Sequence, residues 1–125
     1  MKLRIKGNTI RLRLMQTEVT AFEVAGKVVE TTDFGFQQLT YQLLKTDDLN
    51  IKATFDNQTI TIFVPEKIGE KWATSNQVGM EGVIKLSEEK VLKILVEKDF
   101  KCLTDRPNED ESDAYPHPKE GSIEC

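Results

Sequence analysis

One stretch occurs twice, fifty residues apart, and it limits the fold more than any other feature. Asn8-Thr9-Ile10-Arg11-Leu12-Arg13-Leu14 leads toward Phe22, and Gln58-Thr59-Ile60-Thr61-Ile62-Phe63-Val64 leads toward Trp72. Thr9 aligns with Thr59, Ile10 with Ile60, Leu12 with Ile62, Leu14 with Val64 and Phe22 with Trp72. In both copies a polar turn precedes a run with apolar residues at every second position, and the spacing then changes to that of a helix. The pattern predicts a duplicated β-β-α unit.

The flanking residues extend each unit. Leu3 and Ile5 alternate with Lys2, Arg4 and Lys6, and beyond Gly7-Asn8 the residues Ile10, Leu12 and Leu14 alternate with Arg11 and Arg13. Period two around a Gly-Asn turn is a β-hairpin with one buried face. Thr17 is suited to cap a helix. Val19, Phe22 and Ala25 lie on one face of that helix, and Gly26 suits its left-handed stop. Strands follow over 27–33 and 37–45, around Phe34-Gly35-Phe36. In the second half Ile51, Ala53 and Phe55 form an apolar strand face, and Asp56-Asn57-Gln58 turns the chain into 59–64. Pro65 opens a second helix, with Ile68 and Trp72 inward. Strands over 78–86 and 90–99 close the domain, and the last, apolar on both faces, is central.

The order ββαββ, given twice, predicts an α+β fold. Short connections favour antiparallel neighbours, so the expected architecture is a curved or barrel-like, eight-stranded, mainly antiparallel sheet with two short helices. Residues 1–100 form a single domain with pseudo-repeats 1–46 and 50–100. A flat sheet with both helices on one face is the alternative. Residues 101–125 are set apart as an acidic tail with Pro107, Pro116 and Pro118 and no periodicity, expected to be extended or disordered.

Charge is distributed unevenly. Residues 1–100 hold as many Lys and Arg as Asp and Glu, so the whole net charge of −4 falls in the tail. Five cations precede the first acid, Glu18. Because alternate side chains of a strand share a side, Lys2, Arg4, Lys6, Arg11 and Arg13 share one face of the first hairpin. Three roles suit this face. It is a solvated edge whose lysines discourage aggregation, a dock for the acidic tail with Tyr115 or Leu103 buried alongside, or a site for a small anion or an acidic protein partner. Nucleic acid fits poorly, since no aromatic residues interleave with the cations. No apolar run is long enough for a membrane helix, and the alternating N-terminus is no secretory signal. These features predict a cytoplasmic address, with both cysteines as free thiols.

The stretches IKGNTIRLRL, at residues 5–14, and VEKDFKCLTDRPNEDESDAYPHP, at 96–118, resemble a family of small uncharacterised bacterial proteins. The resemblance covers nearly the whole chain. It implies a stand-alone bacterial cytoplasmic protein and transfers no activity and no catalytic residue.

Chemistry is sparse. A closed barrel with the cations inward would make a tunnel for a polyphosphate, with Glu30, Glu81 and Glu97 able to hold a metal. The paired carboxylates that open such enzymes are absent here. Cys102, His117 and Cys125, with Asp113, are a weak zinc set, because neither cysteine stands two to four residues from another of the set. The acidic run lacks the glycine and closing glutamate of an EF-hand. His117, the one histidine, stands between two prolines, and the chain has no glycine-rich phosphate loop. The expectation is therefore a non-enzymatic binding or interaction module, monomeric or homodimeric and without cofactor, working through the basic hairpin face. The alternative is a metal-dependent enzyme acting on phosphorylated or polyphosphate small molecules inside a barrel.

Overall fold

A computed structural model describes residues 1–100 and 113–116. The elements run β1 (Lys2–Lys6), β2 (Thr9–Leu14), α1 (Gln16–Ala25), β3 (Lys27–Asp33), β4 (Gln38–Thr46), β5 (Lys52–Asp56), β6 (Thr59–Pro65), α2 (Glu66–Ala73), β7 (Gly79–Lys85) and β8 (Val91–Lys98). The ββαββ order read twice from the sequence is therefore present. Two-residue turns join β1 to β2 and β5 to β6. Gly7 takes φ +52° in the first, and Asn57 and Gln58 take φ +50° and +59° in the second. Gly26 ends α1 in the left-handed region, and its amide donates to the Phe22 carbonyl at 2.8 Å.

The strands do not share one sheet. They form two four-stranded mixed sheets: a terminal sheet, β1-β2-β8-β7, and a central sheet, β3-β4-β6-β5. This corrects the expected eight-stranded, barrel-like sheet. All four hairpins are antiparallel, but β2 runs parallel to β8 and β4 parallel to β6. The helices carry the chain from one sheet to the other, and among the described residues no strand of one sheet pairs with a strand of the other. No barrel closes.

The sheets have matching plans. Each places the first hairpin of one half beside the second hairpin of the other, joined by a parallel central pair. One core serves both. Leu12, Leu14, Met80, Ile94 and Val96 enter it from the terminal sheet, and Val28, Leu43, Ile60, Ile62 and Val64 from the central sheet. Val19 and Phe22 of α1 and Trp72 of α2 complete it. Phe22 and Trp72 are fully buried and meet edge to face, with ring centroids 6.1 Å apart, a geometry that contributes beyond the area buried.

Matching lysines close the two helix ends. Lys45 Nζ donates to the Glu23 carbonyl at 2.7 Å and lies over the Phe22 ring. Lys98 Nζ donates to the Ser75 carbonyl at 2.7 Å and lies over the Trp72 ring. Cations favour helix C-termini, where unpaired carbonyls gather.

Three local expectations change. Thr17 is in the first turn of α1 and is not its cap. The Met15 amide donates to the Glu18 carboxylate at 2.9 Å, and the Thr17 hydroxyl donates to Asp113 at 2.5 Å. Phe55 shares the face of Ala53 and lies opposite buried Ile60, but at the end of an edge strand it is 74% exposed. Ile68 is exposed, and Gly69 with Trp72 faces the core of α2 instead.

Candidate functional site

Strand pairing builds the basic face row by row. In the β1–β2 hairpin Lys2 is opposite Arg13, Arg4 opposite Arg11 and Lys6 opposite Thr9. Parallel pairing extends these rows to β8, with Thr9 beside Lys93, Arg11 beside Leu95 and Arg13 beside Glu97. Antiparallel pairing then adds Val83, Glu81 and Gly79 of β7. The opposite face carries Leu3 with Leu12 and Ile5 with Ile10. All five cations singled out in the sequence thus share the outer face of the terminal sheet, at one edge.

Their neutralisation is uneven. Arg11 Nε is 3.0 Å from Glu97 Oε1, and Lys2 Nζ is 3.0 Å from Asp99 Oδ2. Among the described residues, Arg4, Lys6 and Arg13 form no ion pair. Like charges directly opposite across a sheet are destabilising, by a few tenths of a kcal/mol up to about 1 kcal/mol. Arg4 against Arg11 and Lys2 against Arg13 are two such pairs. A depression of about 260 Å³ opens here, lined by Arg4, Lys6, Thr9 and Arg11. Two guanidinium forks, one ammonium and one hydroxyl can all donate into it.

The other expected ligands are not gathered there. Glu30 belongs to the central sheet, where it accepts from the Met1 amine at 2.9 Å. Glu81 and Glu97 lie on the basic face, but no tunnel encloses them. The polyphosphate tunnel is therefore overturned by the division into two sheets. Cys102, His117 and Cys125 lie outside the described residues. Asp113 is described, and it belongs to a different contact. Its carboxylate accepts from the Thr17 amide and hydroxyl, and its carbonyl accepts from the Gln16 amide at 3.1 Å. Among the described residues no three His, Cys, Asp or Glu side chains are placed to hold a metal.

Residues 113–116 do not lie on the hairpin face. Ala114 is buried, and the Tyr115 amide donates to the Asp99 carbonyl at 2.7 Å. The Tyr115 ring packs against Phe100 and faces Lys98. Burial, followed by the nearby Asp113 charge, pushes the Tyr115 phenol up from its ordinary value. Burial lowers the Lys98 ammonium. The Tyr41 hydroxyl donates to the Met1 carbonyl at 2.9 Å. Its phenol is raised by burial first, then by Glu30 and Glu18.

Sequence reasoning missed Thr9, Lys93 and Asp99 as companions of the hairpin cations, and it named Glu97 only as a metal ligand of a tunnel, not as the ion-pair partner of Arg11. The parallel β2–β8 register is what brings Lys93 and Glu97 beside the hairpin.

The profile of a family of unknown function, DUF7009, matches residues 1–119. The chain belongs to the DUF7009 family. The expected membership of an uncharacterised family holds, and the match spans both halves of the DUF7009 fold and the 113–116 contact. No curated protein and no solved structure matches the chain. Among the described residues of this DUF7009 protein, no helix is long and apolar enough to cross a membrane.

Proposed function

We propose that this chain is a non-enzymatic binding module whose working surface is the outer face of the β1–β2 hairpin. Its ligand is an anionic group, carried by a small molecule or by a protein partner. The observation that supports this most is the depression lined by Arg4, Lys6, Thr9 and Arg11, with Arg4 directly opposite Arg11. Two cations held in register without full neutralisation cost stability in the free protein, and a bound anion removes that cost. The enzyme alternative depended on an enclosed interior and loses that support in an open sheet face. A bacterial source rests on the sequence resemblance, and a cytoplasmic address on that resemblance together with the alternating, signal-free pattern of the first residues. The matching plans of the two sheets support an ancestral duplication of the ββαββ unit.

Titration calorimetry with inorganic phosphate tests the binding reading. Binding should weaken with added salt, and Arg4→Ala with Arg11→Ala should weaken it about tenfold or more, since each removes a charge-assisted hydrogen bond. Affinity unchanged in the double variant would refute the site. Metal-dependent phosphate release from a nucleotide panel would move the protein to the enzyme class.

A further inference from the structure

β1 is the edge of the terminal sheet, and among the described residues no strand pairs with its open side. The two-residue turn fixes which backbone groups face that side. Lys6 and Thr9 flank the turn and exchange both hydrogen bonds, and the antiparallel alternation repeats this at Arg4 with Arg11 and Lys2 with Arg13. The amides and carbonyls of Leu3 and Ile5 therefore point away from β2. On one face of the same strand Arg4 and Lys6 form no ion pair among the described residues. On the other, Ile5 is 54% exposed. Free backbone groups and cations without an ion pair among the described residues recur at every second residue, about 6.7 Å apart, and Ile5 stands uncovered between the two cations.

A polypeptide strand is the ligand that meets all three with one period. A small anion would engage the cations and leave the backbone and Ile5 unmet. A second copy of β1 would set Arg4 against Arg4 and Lys2 against Lys6, like charges in register. The other edges lack this pattern: β3 carries Lys27, Glu30 and Asp33, β5 carries Lys52 and Asp56, and β7 carries Glu81 and Lys85. The geometry points to an extended acidic peptide, alternating acidic and apolar residues, that adds beside β1 as a fifth strand of the terminal sheet. Its acids face Arg4 and Lys6, its apolar residues cover Ile5, and its backbone takes the free groups of Leu3 and Ile5. This inference rests on the anion-binding role proposed for the hairpin and names its partner.

The test uses the full-length protein and three probes: a short capped peptide alternating glutamate and valine, its block isomer of equal composition, and inorganic phosphate. The alternating peptide should bind at least about tenfold tighter than the block isomer, and hydrogen exchange of the Leu3 and Ile5 amides should slow. Equal binding of both peptides with unchanged exchange would overturn strand addition while leaving the anion face intact. If no probe binds, both readings fall. Ile5→Pro removes an outward N–H, which edge strands tolerate; it should abolish the preference and spare phosphate binding. If that variant fails to fold, Arg4→Glu with Lys6→Glu decides, because it should transfer the preference to an alternating lysine-valine peptide. Retained preference for the acidic peptide would overturn the inference, as would a β1-paired dimer of the free protein in light scattering.

Discussion

Lys98 lies among aromatic rings, with its ammonium over Trp72 and Tyr115 and bonded to the Ser75 carbonyl. Burial makes its charged form costly, so the folded protein sheds this proton at lower pH than the unfolded chain does. Stability therefore gains as pH climbs from the lowered value toward the ordinary 10.5. The two phenols act with the opposite sign. Tyr41 and Tyr115 are the chain's only tyrosines, and both are raised in the fold. Their contribution is complete below the unfolded value of 10.0 and is lost as pH rises through the folded values. Phenolate absorbance of the native protein should thus develop at higher pH than that of the denatured protein, and Tyr41→Phe should leave the remaining tyrosine displaced as well. Coincident native and denatured curves would show that the rings are not buried. Single residues of the basic face were legible from sequence, because period-two alternation needs no tertiary information. The ion pairs they form were not, because Glu97, which the sequence suggested only as a metal ligand, and Asp99 reach them only through long-range pairing.

Helix α2 sets propensity against packing. Gly69 lies mid-helix, where alanine is favoured by about 1 kcal/mol. A Cβ there would come 2.9 Å from Phe22 Cε2 and 3.0 Å from Cζ. Phe22 is fully buried against Trp72, so its ring has no solvent side to move into. Overpacking a filled core costs about 1–3 kcal/mol, and packing should win. Gly69→Ala is expected to lower stability in urea denaturation; a more stable variant would mean that the two helices can separate. Boundaries and turns of the elements followed from the sequence, since Gly26, Gly7 and the Asn57-Gln58 turn act locally. The start of α1 did not. Its amides and the Thr17 hydroxyl are met by Asp113, some ninety-six residues away, a distance over which no local pattern operates.

The whole molecule is divided in a way that short connections conceal. Every hairpin was readable, because each closes through a nearby turn. The parallel pairs that choose hairpin partners were not, because neither β2 with β8 nor β4 with β6 is adjacent in the chain. The two sheets also differ in reach. The central sheet lies wholly within residues 27–65, and its parallel pair joins Thr40 to Thr59. The terminal sheet must join Thr9 to Lys93. Loop-closure entropy and contact order make the first assembly fast and the second late. Pulse-labelled hydrogen exchange during refolding should protect β3–β6 before β2 and β8, and simultaneous protection would contradict this order. On the ribosome the delay is longer. The β1–β2 hairpin emerges well before β8 and waits for six intervening elements, α1 through α2, and for β7 before β8 arrives, with both of its edges bare. In that interval its five cations repel the same hairpin on neighbouring nascent chains. The charge pattern that frustrates the finished sheet thus also keeps its earliest piece apart from its own kind during synthesis.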